Sequence, residues 1–347
     1  MKLEDIFTFE NIYNAHKECR KAKQHKGEVI RFEISLGINI LKIMTEMKNK
    51  KYKMGQYKKF EIYEPKKRII EAPSYKDRVI IRCLCDNLIR PKIEKSLIYD
   101  NVACRKNKGT DFGINRLKSF LRREYIKTQN NKIYYLKCDI KKYFPSINHN
   151  ILLNQLEKIG FERDVMWLLE KLVREQPDNV SLGLPLGNQT SQWFALLYLN
   201  SVDRLIKEQL RIKSYVRYMD DFILLHSNKS NLQTCLQKIK ELCKKELALE
   251  LNDKTMIGKV ANGIDFLGYR FFLTKSGKII TKLRGSAKLR LKRNLKVLNK
   301  LEAKGKVNYS YVYARKNAYY THIKDTNESK ELKGKVNPKS KKHKMKS

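Results

Sequence analysis

The chain has 347 residues, of which 75 are Lys or Arg and 36 are Asp or Glu, giving a formal net charge of +39 at pH 7. Folding does not require this excess of positive charge, whereas a polyanion would neutralise it and release counterions on binding. Because 41% of the residues are hydrophobic, composition excludes a fully disordered chain. It favours a folded protein that binds nucleic acid. An anionic membrane surface is the other candidate, but the sequence shows no isolated amphipathic anchor, so no membrane partner is predicted.

Apolar residues recur at helical spacing near the N-terminus, which predicts an amphipathic helix over 32–47. They are Phe32, Leu36, Ile40, Ile43 and Met47. Residues 57–63 and 68–72 flank the basic turn Pro65-Lys66-Lys67, which predicts two short strands joined by that turn. A second helix should begin near residue 77 and end near Pro91, since proline lacks the amide hydrogen that a helix interior needs.

A loop rich in Lys, Asn and Gly is predicted over 101–113, followed by a strand over 133–139 that ends at Asp139. The uncharged stretch 179–202 contains Asn188-Gln189-Thr190-Ser191-Gln192, so it is predicted to be a packed functional segment and not a membrane span. Residues 215–219 and 222–225 have strand composition and flank Asp220-Asp221. They predict a hairpin that carries two acidic residues at its tip.

Helical sequence is predicted at about 230–248, a strand pair over 264–271, and a helix from Lys288 onward whose apolar face carries Leu291, Leu295 and Leu298. Lysines recur every four residues on that helix, and this pattern is typical of a solvated face. The overall charge favours contact with a nucleic acid backbone instead. The lysines of this row are Lys288, Lys292, Lys296 and Lys300.

Seven cysteines are scattered at 19, 83, 85, 104, 138, 235 and 243, without the spacing of a zinc site. They predict reduced thiols in a cytoplasmic protein. Residues 1–10 lack a long apolar run, so no signal peptide is predicted.

Asp139 on one strand and Asp220-Asp221 on a hairpin tip supply the oxygen ligands that two divalent cations need for phosphoryl transfer. Any one of these carboxylates alone is typical of a solvated turn. Their flanking strands are mainly apolar, which would hold the three on a rigid sheet. The sequence therefore predicts an enzyme with two Mg²⁺ ions, for which Mn²⁺ could substitute.

Tyr218-Met219-Asp220-Asp221 resembles the signature of reverse transcriptases, and the segment 139–147 resembles their first acidic motif. The resemblance implies an α+β right-hand polymerase with an antiparallel palm sheet and a helical basic thumb. It also implies that Phe144 excludes a 2′-hydroxyl and that the carbonyl of Ile140 is a metal ligand. Phe144 could equally be a core residue.

Residues 183–192, Gly-Leu-Pro-Leu-Gly-Asn-Gln-Thr-Ser-Gln, depart from ordinary reverse transcriptases at Leu186 and Gln192. Both residues are similar to those in the reverse transcriptases of diversity-generating retroelements, which copy a template RNA with errors at adenines. The segments 103–110 and 266–269 share this resemblance, which spans roughly 55–325. It implies a template RNA, its cDNA, deoxynucleoside triphosphates and a small basic pentameric accessory protein as partners.

The same resemblance suggests roles for other residues. Lys254 would protonate the departing pyrophosphate, a surface lysine being the plain alternative. Nucleotide contacts are implied for Lys66, Arg68, Arg78, Leu186, Gly187 and Gln189, and contacts with the nucleic acid for Arg105, Lys108, Ser191 and Gln192.

The expected subdomains follow the chain, and they end in a basic tail predicted to be disordered. They are an N-terminal helical extension (1–54), fingers (55–135), the first part of the palm (136–147), connecting helices (148–180), palm (181–284), thumb (285–330) and tail (331–347). Three alternatives stay open. The first is another type of bacterial reverse transcriptase, which serves phage defence, belongs to a retron or resembles a group II intron enzyme. The second is a polymerase that needs no template. The third is a non-catalytic RNA-binding protein with a relic palm.

Overall fold

The computed structural model describes residues 2–63, 67–174, 181–324 and 326–329, without the side chain of His322. The predicted contact of Lys66 and the predicted disorder of the tail lie outside these residues. The first half of the chain forms α1 (Leu3–Ile6), α2 (Phe9–Arg20), α3 (Gly27–Ile34), α4 (Leu36–Lys48), β1 (Lys58–Ile62), β2 (Arg68–Ala72), α5 (Tyr75–Leu84), α6 (Arg90–Ser96), α7 (Thr110–Thr128), β3 (Tyr134–Cys138), α8 (Tyr143–Ser146), α9 (His149–Ile159) and α10 (Arg163–Arg174).

The second half begins with helices and continues with most of the strands. Its elements are α11 (Gln189–Tyr198), α12 (Asn200–Arg204), β4 (Tyr215–Tyr218), β5 (Asp221–His226), α13 (Lys229–Glu246), β6 (Met256–Lys259), β7 (Ile264–Phe266), β8 (Tyr269–Leu273), β9 (Ile279–Leu283), α14 (Gly285–Ala303) and α15 (Tyr309–Ile323). Two π-helical turns, Cys85–Ile89 and Leu205–Gln209, and a 3₁₀ turn, Val260–Asn262, complete the described elements.

The single N-terminal helix predicted over 32–47 is wrong, because two helices meet at Ser35. The backbone of Ser35, with φ −121° and ψ 42°, is not helical, and the side chain of Asn39 donates to the carbonyl of Phe32 at 3.0 Å across the break. The apolar face is nevertheless buried as its spacing predicts, with Ile40, Ile43 and other apolar residues inside the main core.

The predicted stop at Pro91 is also wrong. The helix continues from α5 through the π-helical turn Cys85–Ile89 into α6, where Pro91 lies in the first turn. A proline is tolerated there because the π turn changes the backbone hydrogen-bond pattern just before it, as in the bond from Arg90 N to the carbonyl of Cys85. The inserted π turn therefore lets the chain pass a residue that would break a regular α-helix. The predicted loop over 101–113 is shorter than expected, since α7 already begins at Thr110.

Three antiparallel sheets carry the strands. Strands β1 and β2 form the hairpin predicted around the basic turn, and β7, β8 and β9 form a second small sheet. The central sheet has the order β4-β5-β3-β6. Its pairs are all antiparallel, so the α+β architecture with an antiparallel palm sheet is confirmed.

The central sheet is buried on both faces, which makes it rigid. Leu136 and Cys138 face a large core shared with α13 and the N-terminal helices. Tyr135 and Ile223 face a second core shared with α7 and the small sheet β7-β8-β9. Since successive strand residues alternate between faces, Lys137 and Asp139 extend toward the side occupied by Tyr135.

The C-terminal helices α14 and α15 pack on each other through Leu291, Leu295 and Ile323, as the predicted helical thumb requires. All seven cysteines are free thiols, and Cys104 is exposed. Within the part of the chain that the structure describes, no helix is both long and apolar enough to cross a membrane.

Candidate active site

The three aspartates lie at one end of the central sheet. Strand β3 ends at Cys138, which pairs with Phe222 of β5, so the same register places Asp139 opposite Asp221. A two-residue turn, Met219-Asp220, joins β4 to β5, because Tyr218 pairs directly with Asp221. The turn requires the left-handed conformation at Met219, whose φ is +54°. The structure therefore brings Asp139 together with the two carboxylates that follow it 81 and 82 residues later in the sequence.

The carboxylates of this cluster resist simultaneous ionisation. Burial and the neighbouring Asp139, which shares a hydrogen bond with Asp220, raise the pKa of Asp220 to about 6. Burial also raises the pKa of Asp221, although the ammonium of Lys137 opposes this shift. Like charges that share a partly buried site repel unless a cation lies between them. The cluster is therefore an environment that favours binding of cations.

Lys137 is a functional residue that sequence reasoning missed. Its Nζ lies 3.1 Å from Oδ1 and 3.2 Å from Oδ2 of Asp221, and it donates to the carbonyl of Asp265 at 2.6 Å. Asp265 in turn lies 3.4 Å from the guanidinium of Arg284. A lysine two positions before the first aspartate of a strand lies on the same face of the sheet, and that spacing is the signal that could have revealed it.

The donors present are hard oxygens, the ligand type that Mg²⁺ and Mn²⁺ prefer. An antiparallel bridge between Ile140 and Leu251 extends strand β3. Its two hydrogen bonds run from Lys141 N to Glu250 O and from Asn252 N to Asp139 O. These two bonds leave the carbonyl of Ile140 unused. The carbonyl can therefore join the carboxylates as a ligand, in agreement with the predicted donor set.

Among the described residues, no three side chains of His, Cys, Asp or Glu are already arranged to hold a metal ion. Asp221 is in contact with Lys137, whose ammonium neutralises the carboxylate that a cation would otherwise use. Binding of a divalent cation by all three aspartates thus requires Asp221 to leave Lys137 or to share its oxygens.

A buried ion pair supports the turn that carries Asp220. Arg217 on β4 and Asp203 on α12 are both fully buried, with Arg217 Nη2 2.6 Å from Asp203 Oδ2. Arg217 also donates to the carbonyl of Met219 at 3.0 Å and to that of Leu196 at 3.0 Å. Burial lowers the pKa of Arg217, but the Asp203 carboxylate outweighs it, and the net shift is upward. Arg217 therefore fixes the backbone beside Asp220.

Sequence reasoning missed this pair as well, although an arginine inside an apolar strand is itself a signal. A fully buried guanidinium is stable only with a buried acid and further hydrogen bonds. Asp203 follows the uncharged stretch 179–202 directly and has apolar neighbours. Its place in the sequence therefore marks it as a candidate for the buried acid that Arg217 needs.

The ring of Phe144 is partly buried at the edge of the same site. Its centroid lies 5.7 Å from that of Tyr143, at an interplanar angle of 72°. The backbone carbonyl of Phe144 accepts from Leu184 N at 3.0 Å, and that of Ile147 accepts from Gly183 N at 2.8 Å. These bonds join the first acidic motif to the segment containing Leu186, as a shared nucleotide site requires.

The hairpin β1-β2 contacts the segment at Leu186 and Gly187. Glu71 N on β2 donates to the carbonyl of Leu186 at 2.9 Å. Gly187 has φ +129°, and a Cβ there would lie 2.8 Å from Glu71 O, so only glycine fits this approach. Gln189 is the first residue of α11 and is partly buried.

Two of the predicted cations are exposed, and their roles stay predictions. Arg68 is exposed at the start of β2, on the hairpin that contacts Leu186. Lys254 is exposed, and its backbone N–H donates to Asn252 Oδ1 at 3.1 Å. Asn252 N donates to the carbonyl of Asp139 at 2.7 Å. The turn that carries Lys254 is therefore attached directly to the strand of the first aspartate.

Four other predicted contacts are not available in this structure. Arg78 pairs with Glu28 on α3 and points toward the N-terminal helices. Arg105 pairs with Glu94 at 2.9 Å and donates to the carbonyls of Ile98 and Asn101, so it braces its own loop. Ser191 is buried and presents no side chain to nucleic acid. Lys288 pairs with Glu328 at 3.0 Å.

Lys108 lies against the rings of Tyr99 and Phe112, with its Nζ 4.2 Å and 5.3 Å from their centroids. Burial and the nearby Arg105 lower the pKa of Lys108 to about 8. Its ammonium therefore lies against these rings in this structure, and its predicted contact with nucleic acid stays a prediction. Gln192 is exposed, and Cys104 Sγ donates to its Oε1 at 3.3 Å, so the loop over 103–110 lies beside Gln192.

The remaining lysines of the thumb row, Lys292, Lys296 and Lys300, are exposed on α14. Their neighbours Leu291, Leu295 and Leu298 are buried. The row therefore has the orientation that contact with a phosphate backbone requires, and Lys288 at its N-terminal end does not.

An antiparallel sheet buried on both faces, with three carboxylates at the ends of adjacent strands and a basic helical pair following it, defines a palm-type nucleic acid polymerase. The sequence pattern of the family described as reverse transcriptase (RNA-dependent DNA polymerase) matches residues 50–271. The chain belongs to this reverse transcriptase family. Domains of the family generally use divalent metal ions.

Two curated relatives and one solved structure illustrate the similarity. The COX1/OXI3 intron 2 protein of Saccharomyces cerevisiae is 24% identical over 39% of this chain and 23% of its own length. Protein YkfC of Escherichia coli is 24% identical over 41% of this chain and 48% of its own. Telomerase from Candida albicans, solved with a fragment of telomeric RNA, has a TM-score of 0.50 at 13% identity and covers 81% of this chain and 61% of its own.

The telomerase similarity is one of fold. The chain spans less than two thirds of the length of each of these three proteins.

Proposed function

We propose that the protein is an RNA-directed DNA polymerase that copies a template RNA into cDNA with two Mg²⁺ ions. The observation that carries this proposal is the cluster of Asp139 and Asp220, whose mutual repulsion and burial raise the pKa of Asp220 to about 6. A protein that only binds RNA gains nothing from carboxylates that repel phosphate. Membership of the reverse transcriptase family supports the same activity.

In this mechanism Asp139, Asp220 and Asp221, with the carbonyl of Ile140, hold the cations. When bound, two divalent cations activate the primer hydroxyl and stabilise the triphosphate charge. Arg68 on the β1-β2 hairpin binds phosphate oxygens, and Lys254 donates a proton to the pyrophosphate. Arg217 keeps the turn at Asp220 fixed while these groups act.

The proposal is tested by replacing Asp220 and Asp221 together with Asn and measuring cDNA synthesis on a defined RNA. The amides keep the shape of the carboxylates and remove their charge, so synthesis should be lost while RNA binding is kept. Exposed Asp111, replaced by Asn, is the matched control and should keep full activity. Undiminished synthesis by the double variant would sink the catalytic assignment, and products that ignore the template would show a polymerase that needs none.

Phe144 is proposed to exclude ribonucleotides by steric conflict with the 2′-hydroxyl. Replacing Phe144 with Ala should reduce the preference for deoxynucleotides by a factor on the order of 100, because the ring no longer fills the space under the sugar. The ratio of kcat/KM for a deoxynucleotide to that for the matching ribonucleotide measures this. Phe144→Tyr keeps the bulk and should keep the preference. An unchanged ratio in the alanine variant would make Phe144 a core residue.

A finer role is also proposed, namely error-prone copying at template adenines for diversification of a target gene, with a pentameric accessory protein as partner. Support comes from the resemblance at Leu186 and Gln192 to reverse transcriptases of diversity-generating retroelements. The contact between Gln192 and Cys104 joins two of the segments that carry this resemblance. Leu186 is partly buried, and its carbonyl accepts from Glu71 N, so its backbone has a defined position in the segment linked to Phe144.

An aliphatic Leu186 cannot form hydrogen bonds with a nascent base pair. The difference in binding free energy between a right pair and a wrong pair is therefore smaller than with a glutamine at this position. Leu186→Gln is therefore expected to lower misincorporation opposite template adenine by about threefold to tenfold. Leu182, exposed four residues earlier, supplies the control Leu182→Gln, which should leave the error rate unchanged. Sequencing of the cDNA measures both, and an unchanged adenine error rate in Leu186→Gln would refute the role of Leu186.

A second candidate function is reverse transcription linked to intron mobility. It is favoured by the similarity to a yeast intron 2 protein. This function keeps the same aspartates but uses a different RNA, and it needs no bias toward errors at adenines. Sequencing the wild-type cDNA separates the two candidates, because an even error spectrum would favour the intron-type enzyme.

A further inference from the structure

The helix α15 carries three exposed tyrosines within five residues. Tyr309, Tyr311 and Tyr313 are 59%, 45% and 47% exposed, although tyrosine in a folded protein usually has its ring largely covered. Val312, between Tyr311 and Tyr313, is buried, so that residue anchors the helix. Residues two apart do not share a helix face, so Tyr309 and Tyr313 lie on one face and Tyr311 lies on the other side. The pair Tyr309 and Tyr313, called here the tyrosine platform, is not used by the polymerase mechanism.

The rings of the three tyrosines are held in place. Tyr309 and Tyr313, one helical turn apart, have centroids 6.1 Å apart and an interplanar angle of 28°. Arg315 lies over the ring of Tyr311 at 5.4 Å, and its Nε donates to the phenolic oxygen at 3.2 Å. Asn308 caps the helix by accepting from Tyr311 N at 2.9 Å. Fixed rings lose little conformational entropy when another flat group stacks on them.

The charge around the platform identifies its ligand. Residues 303–324 contain no Asp or Glu. They contain five basic residues, Lys304, Lys306, Arg315, Lys316 and Lys324. A protein partner would have to be strongly acidic to bind here, whereas a nucleic acid offers both phosphates for the cations and flat bases for the rings.

We propose that the tyrosine platform binds unpaired bases of single-stranded nucleic acid by stacking, outside the polymerase cleft. A duplex presents its phosphates and keeps its bases stacked internally, so it would contact the lysines of α14 and gain nothing from the rings. Stacking on aromatic side chains tolerates any base, which suits a chain that must hold the unpaired part of a template of changing sequence. This binding requires neither the aspartates nor a nucleotide.

The test is binding of a labelled oligouridylate and of a blunt-ended RNA duplex without a loop, measured by fluorescence anisotropy with EDTA and without nucleotides. Replacing Tyr309 and Tyr313 with Leu should weaken single-strand binding about tenfold or more and leave duplex binding unchanged. The matched double replacement with Phe keeps the rings and should keep the affinity. A 2-aminopurine base in the single strand should be quenched by the wild type and the Phe variant only.

Salt dependence separates stacking from charge. The slope of log affinity against log salt should be the same in the Leu variant and the wild type, whereas replacing Lys304 and Lys306 with Gln should reduce it. Equal single-strand affinity in the Leu and Phe variants would overturn the proposal. A lower melting temperature of the Leu variant without any loss of binding would also overturn it, since the tyrosines would then be covered by the protein itself. Replacing Tyr313 alone gives the same comparison if the double variant folds poorly.

Because no synthesis is measured, this binding result stands or falls independently of the polymerase assignment.

Discussion

Asparagine at position 220 is expected to lower cDNA synthesis by about a thousandfold or more, since a metal ligand is lost, and at the same time to make the metal-free protein more stable. Asp220 is mostly buried beside Asp139, so its charged form is disfavoured in the folded protein. The neutral amide removes that cost. Activity and stability are thus expected to change in opposite directions at one residue.

The sign of the pH dependence follows from the pKa of Asp220, about 6 in the folded protein against an ordinary value of 3.8. Between these values the folded state binds more protons than the unfolded state, so this residue lowers stability as pH rises. Asp220→Asn should therefore match the wild type below pH ~4 and exceed it by about 3 kcal/mol above pH ~6.

Chemical denaturation without divalent cations, at one pH on each side of this window, measures the difference in the free energy of unfolding. Asp111→Asn, at an exposed position on α7, should show no such difference. A less stable Asp220→Asn protein at neutral pH would contradict the electrostatic account. In the wild type, synthesis at limiting metal should rise as pH increases through this range, because the cation binds the ionised carboxylate.

Replacing Asp203 with Leu is expected to destabilise the protein by about 3–5 kcal/mol, because Arg217 is left charged and unpaired in a fully buried position. Tyr215 loses its acceptor too, since its hydroxyl donates to Asp203 Oδ1 at 2.6 Å. The double variant Asp203→Leu with Arg217→Met removes both charges and should recover most of the stability. Urea unfolding of the two single variants and the double variant measures this cycle.

The activity of the double variant shows whether the ion pair positions the turn at Asp220 or only fills the core. Arg217 holds the carbonyl of Met219, next to Asp220, and methionine cannot do so. The folded double variant should therefore need more metal for half-maximal synthesis and keep its affinity for RNA. If its metal requirement equals that of the wild type, the ion pair serves only the core.

The sequence by itself determined which residues form the palm strands, because runs of apolar and aromatic residues on either side of two turn residues are local signals. The strands around Asp139 and Asp220, the β1-β2 hairpin and the apolar face of α14 were predicted from such signals and are confirmed. Helix ends were less certain. The break at Ser35 and the continuation through Pro91 depend on packing and on a π turn, which have no local signature.

Tertiary structure alone decided the partner of each charged side chain. Arg68, Arg78 and Arg105 were all predicted to contact nucleotide or nucleic acid. In the structure Arg78 and Arg105 pair with glutamates, whereas Arg68 is exposed on the hairpin. Lys137 with Asp221 and Arg217 with Asp203 are likewise joined by pairing between distant segments. An ion pair depends on distances of a few ångströms between groups far apart in the chain. Periodicity therefore indicates which face a charge occupies, and only the folded arrangement of strands and helices determines what that charge meets.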